Sequence, residues 1–144
     1  LNPSVRERLL EALMAALTPV AAAKGATFLR SPTLALPREQ SPALLLFPEG
    51  DAITERANDR VTRELTVRLT ALARGEDGAV VADRLLVAAH CALFADVNLG
   101  GLALGLKELD TEWELEDADA TACAIPARYR ITYRTLQSDL SLPG

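Results

Sequence analysis

The sequence predicts an α+β fold, an antiparallel sheet of about four or five strands with two helices packed on one face. Three observations carry that expectation. Apolar residues alternate with polar ones from Val61 to Ala71 and, strictly, from Thr121 to Tyr133, a period of two that no helix can satisfy. Two other stretches, 3–17 and 79–95, repeat apolar residues at helical spacing. The elements follow the order helix, strand, long loop, strand, long loop, strand, helix, strand, strand, with no internal repeat. At 144 residues the chain reads as a single domain spanning 1–144, long enough to bury a real core.

The first helix is capped by Asn2 with Pro3 at its first position, or by Ser4 with Glu7 three residues on. Val5, Leu9, Ala12, Leu13, Ala16, Leu17 and Val20 make its apolar stripe, Pro19 is expected to kink or restart it, and Gly25 to stop it. Thr27–Arg30 reads as a short strand. Ser31–Pro42, with Pro32, Pro37 and Pro42, reads as a proline-rich loop of the kind that is disordered or used for contacts. Ala43–Phe47 fits a central strand that Pro48 ends, leaving 49–59 as a polar loop. Arg60–Arg74 is a half-solvated antiparallel strand with Val61, Leu65, Val67, Leu69 and Ala71 inward.

A turn at Gly75–Gly78 leads to the second helix, capped by Asp77, with Val81, Leu85, Ala88, Ala89 and Ala92 inward. After a turn at Asn98, Gly100 and Gly101, two long strands run from Leu102 to Thr135. On the second, Cys123 through Tyr133 give an odd-numbered apolar face, while Arg128, Arg130, Thr132 and Arg134 share the other. On the first, Thr111, Trp113 and Leu115 oppose Glu112, Glu114 and Glu116. The apolar face switches from even to odd near Lys107–Leu109, which implies a bulge. Two registers satisfy the alternation. A loop centred on Asp119 sets Asp110 against Arg128 and Glu108 against Arg130; one centred on Thr121 sets Glu114 against Arg128, Glu112 against Arg130 and Trp113 beside Tyr129. The tail, 137–144, reads as polar and loose.

Composition narrows the function. Hydrophobic residues make up 49% and charged residues 24%, which is ordinary globular usage and argues against disorder. The net charge of −5, without a basic block, does not support duplex DNA binding through phosphate neutralisation. Arg6 and Arg8 before the run Ala12–Ala23 resemble a signal peptide, but Glu7, Glu11 and the amphipathic period oppose that reading, and the run is too short to span a bilayer. A chain that starts without Met is expected to be processed or trimmed. Cys91 and Cys123 lie on apolar faces of different elements and are expected to be buried free thiols.

Catalytic signals are weak. The one histidine, His90, shares a helix face with Asp83 and Phe94, but Asp83 is two turns away, and no activated nucleophile accompanies it. The acids Glu108, Asp110, Glu112, Glu114, Glu116, Asp117 and Asp119 raise the question of Mg²⁺ or Ca²⁺. Alternate strand positions space carboxylates by about 7 Å, which suits a solvated or arginine-paired face better than one cation. The expectation is therefore no enzyme, no cofactor and no metal, but a protein that works by contact.

The run Ala95-Asp96-Val97-Asn98-Leu99-Gly100-Gly101-Leu102-Ala103 leads into a strand, and Tyr129-Arg130-Ile131-Thr132-Tyr133-Arg134-Thr135 ends the last one, with Asp139 beyond. With Ala82-Asp83 on the second helix and the order of elements, this pattern resembles the tail-terminator (minor tail protein U-like) family of long-tailed bacteriophages. The proline-rich 31–42 segment departs from it. The resemblance implies a homo-hexameric ring in the virion tail, assembled in the host bacterial cytoplasm. Such a ring caps the tail tube, stops its polymerisation and offers a face to the head completion or neck protein. Its partners are copies of itself, the tail tube protein and that neck protein, with no membrane. DNA passes through the lumen without specific binding, and six chains at −5 would carry about −30, which repels a phosphate backbone. Glu112, Glu114, Glu116, Arg128, Arg130 and Arg134 are the candidate subunit-interface or lumen residues; cross-strand pairing within one subunit is the alternative. Competing readings are another neck or tail-completion connector and a small metal-dependent enzyme built on the acidic strand.

Overall fold

The computed structural model describes residues 2–32, 40–116 and 122–144, with 114–116 by backbone alone. Helix α1 (Val5–Ala23) is followed by strands β1 (Thr27–Arg30), β2 (Ala43–Ala57) and β3 (Arg60–Arg74), helix α2 (Gly78–Phe94), and strands β4 (Gly105–Thr111), β5 (Glu114–Glu116) and β6 (Ala122–Leu136). One sheet runs in the order β1-β2-β3-β6-β4, with the short β5 also alongside β6. Val5, Leu9, Leu13 and Leu17 of α1, and Ala82, Leu85, Ala89 and Leu93 of α2, share one core with Leu65, Leu69, Ile125, Ala127 and Ile131 of the sheet. Both helices thus bury against a single face, as the periodicity predicts. Alanines at 82 and 89, fully buried, let α2 approach the strands closely.

The sheet is mixed rather than purely antiparallel, because β1 pairs parallel to β2. A parallel neighbour needs a long return connection, and the residues between Arg30 and Ala43 supply it. Most of the proline-rich 31–42 segment (33–39) lies outside the described residues.

Ser4 caps α1, its Oγ accepting from the Glu7 amide at 3.0 Å. Pro19 does not stop the helix. It faces solvent, so the carbonyl it cannot bond is open to water, while Leu17 and Ala21 anchor the last turn in the core. The helix closes with Gly25 at φ +65°, the Ala26 amide donating to Ala21 O at 2.8 Å and the Gly25 amide to Ala22 O at 3.2 Å.

Two readings of the sequence are corrected here. There is no polar loop at 49–59: β2 runs through Pro48 to Ala57 and meets β3 across a two-residue turn with Asn58 at φ +58°. Pro48 is tolerated because β1 covers only Ala43 to Leu46, so Pro48 sits on an open strand edge beside a bulge between Pro48 and Gly50. The tail at 137–144 is not loose. Val5 donates its amide to Leu140 O at 2.9 Å, Leu136 to Leu142 O at 3.0 Å, and Pro143 bridges Thr135. The tail thereby satisfies a first-turn amide of α1 that has no partner within the helix.

The bulge expected near Lys107–Leu109 is present, as a register shift between Glu108 and Asp110. Asp110 stands opposite Arg128 and Glu114 opposite Ala124, the register centred on Asp119; the turn itself, 117–121, lies outside the described residues. Beyond the bulge that register slips, so Glu108 faces Tyr129, not Arg130.

Candidate interaction surface

The sheet face away from the helices carries the candidate residues. It is not uniformly polar: Ala43, Leu72, Ala122 and Ala124 are buried at one end, where strict inward–outward alternation predicts solvent. Beyond them lies a row set by strand register, Phe47, Arg68, Arg128 and Asp110 on β2, β3, β6 and β4. Two arginines directly opposed would repel. Three neighbours offset this. Asp110 accepts from Arg128 Nε and Nη2, both at 2.8 Å, a bidentate fork. Glu49 reaches Arg68 Nη1 at 3.3 Å and Arg128 Nη1 at 3.7 Å. The Arg68 guanidinium lies 4.5 Å from the Phe47 ring centroid. The Arg128 hydrogen bonds hold the Asp110 carboxyl below its ordinary range, and Asp110 raises Arg128 in turn. Glu49, Arg68, Asp110, Glu112, Pro126 and Arg128 surround an open concavity of about 240 Å³.

One row further along, Arg130 Nε lies 3.1 Å from Glu64 Oε2, and nearer the end of β6 Arg134 Nε donates to Thr62 Oγ1 at 3.2 Å. Arg128 and Arg130 therefore pair within the chain. Glu112 is exposed, its amide donating to Pro126 O at 2.9 Å. Glu114 and Glu116 are placed by backbone pairing with Ala124 and Ala122. The six residues thus lie along one margin and face of β4–β6 and do not converge on a point. Trp113, expected inward, is 68% exposed, because the ladder breaks between β4 and β5.

On the helix side, His90 Nδ1 lies 2.9 Å from Tyr129 Oη and 3.4 Å from Glu108 Oε2, and its ring stacks on Phe94 at 4.6 Å. Burial pushes the Tyr129 phenol up to about 12. Asp83, Leu86 and Val87 complete an open cleft of about 240 Å³ there. Cys123 is buried but Cys91, against expectation, is exposed on the outer side of α2; both are free. Among the described residues, no three His, Cys, Asp or Glu side chains come together as a metal site.

A third cluster was invisible to sequence reasoning. The Tyr133 hydroxyl donates to Asp51 Oδ2, which also accepts from Arg6 Nη1 at 2.9 Å. Burial, then the Asp51 hydrogen bond, raises the Tyr133 phenol above its usual range. A tyrosine on an apolar strand face signals that its hydroxyl needs a partner; Asp51 lay hidden in a stretch read as loop.

No protein-family model matches the chain, and no curated protein matches it in sequence. Among solved structures it is similar to a chain of the virion of a native gene transfer agent particle, with 13% identity, 90% of each chain covered and a TM-score of 0.54. The likeness is one of fold, nearly end to end. The type 4 fimbrial biogenesis protein PilO from Pseudomonas aeruginosa aligns at 11% identity over 83% of this chain and 65% of its own, with a TM-score of 0.35, too low to carry an argument.

Proposed function

We propose that this protein is a structural virion component, a tail terminator that forms a ring on a phage-type tail tube, stops its polymerisation and offers the head-joining face. The observation that carries the reading is the fold shared over 90% of both chains with a component of a gene transfer agent virion. The motif resemblance at 129–135 and Asp139 points the same way. The protein works by contact with its own copies, the tube protein and a neck or head completion protein, without catalysis or a cofactor. It resides in the virion tail after assembly in the host cytoplasm.

The charged face fits that role. Arg128 and Arg130 are tied to Asp110 and Glu64 within the chain, and side chains already held in place lose less entropy on docking. Glu112, Glu114, Glu116 and Arg134 are the residues offered to a neighbouring copy or to the lumen. DNA passes an acidic ring without being held.

Electron microscopy of tail tubes polymerised with and without the protein tests this. Tubes capped by a ring and arrested in length are expected; tubes that keep growing past bound protein contradict arrest and point to a different neck connector.

A further inference from the structure

Trp113, the single tryptophan of the chain, leaves most of its indole in water. Such a surface gains greatly from burial, and tryptophan is a frequent anchor of protein contacts. It sits in the break between β4 and β5, on one margin of the sheet, and stands in sequence between Glu112 and Glu114. Beside the opposite margin, Lys24, Pro42, Val81, Arg84 and Leu85 line an open recess of about 230 Å³. Lys24 follows the end of α1, Pro42 precedes β2, and Arg84 projects from α2. The lining is apolar apart from two exposed cations, neither with an ion-pair partner among the described residues.

We propose that the Glu112-Trp113-Glu114 segment of one copy seats in the Lys24/Arg84 recess of the next. The indole lies against Pro42, Val81 and Leu85, with a cation near its face. The exposed Glu112 carboxylate meets the cations of Lys24 and Arg84. Charge separates this recess from the cleft beside His90, which is rimmed by Asp83 and Glu108 and repels an acidic segment. β2, β3 and β6 separate the two margins, so the contact is heterologous. Each copy gives its acidic margin to one neighbour and its basic recess to the other, the arrangement that makes a ring when its rotation closes. This inference rests on the ring reading above and supplies its subunit contact.

The lone tryptophan is its own reporter. Native mass and tryptophan emission are measured together on the full chain, free and bound to tail tubes. The expected result is an oligomer whose emission is blue-shifted and several-fold less quenched by acrylamide than that of diluted monomer. Lys24→Glu/Arg84→Glu should abolish both changes while circular dichroism stays the same, and adding Glu112→Lys/Glu114→Lys should restore them. Should the reversed pair fail to fold, Lys24→Gln/Arg84→Gln repeats the test. An oligomer whose tryptophan remains water-exposed, or whose mass is indifferent to these changes, overturns the inference and leaves the ring standing. A protein that stays monomeric both free and on tubes overturns the two together.

Discussion

Asp110 and Arg128 show how a single pair turns into a measurable pH dependence. The carboxyl is held below the ordinary aspartate value of 3.8, first by the Arg128 hydrogen bonds. A depressed folded-state pKa contributes stability that is full above the unfolded value and is lost as pH falls through the folded one. The pair therefore supports the fold above pH about 4 and fades below it. Melting temperatures of the wild type and Asp110→Asn should converge as pH drops below 4, the gap at neutral pH being small because the pair is exposed and screened; a gap that widens in acid contradicts the assignment. Tyr133 is the more consequential residue. Removing its hydroxyl leaves Asp51, whose side chain is 10% exposed, short of a donor. Tyr133→Phe should cost about 1–3 kcal/mol in urea unfolding, the range for a buried group left unsatisfied. A loss below a few tenths would show that Arg6 alone satisfies Asp51.

At the scale of elements, α1 depends on its two ends. Gly25 has open space around its Cα, so any penalty of a side chain comes from φ +65° alone. Gly25→Ala should destabilise by about 1 kcal/mol. The tail is a second support: deleting residues 138–144 removes the bonds to Val5 and Leu136, each worth about 1 kcal/mol net. Hydrogen exchange should then quicken in the first turn of α1 and at the end of β6; unchanged protection would show that the tail only decorates them. These elements also show what the sequence could reveal. The β4 bulge was legible because a slip of one residue moves every side chain to the other face, and Leu102–Leu106 and Leu109 record that switch. The extent of β2 was hidden because Pro48 and Gly50 look like breakers, whereas an open edge asks little of a proline. The docking of the tail depends on partners some 130 residues away, Val5 and Arg8 among them, and no local pattern marks such a contact. The register of β4 against β6 was narrowed to two choices by parity, and the structure takes the one that places Asp110 beside Arg128.

For the whole molecule, the candidate residues were found as a face rather than as a site. Alternation placed Arg128, Arg130 and Arg134 together, but not which acid each would meet: Glu64 comes from β3 and Glu49 from a stretch read as loop. The hydrophobic pattern predicts Trp113 inward because the break in the ladder at 112–113 leaves no trace in it. What emerges is a sheet with helices on one side, an ion-paired face on the other, and unlike margins at its two ends. The proposed ring requires such an object to repeat. Counting copies tests that most directly, by native mass spectrometry of the protein released from capped tail tubes. A single closed species of six chains is the expected result, and a monomer, or an open series of masses without a preferred number, would contradict it.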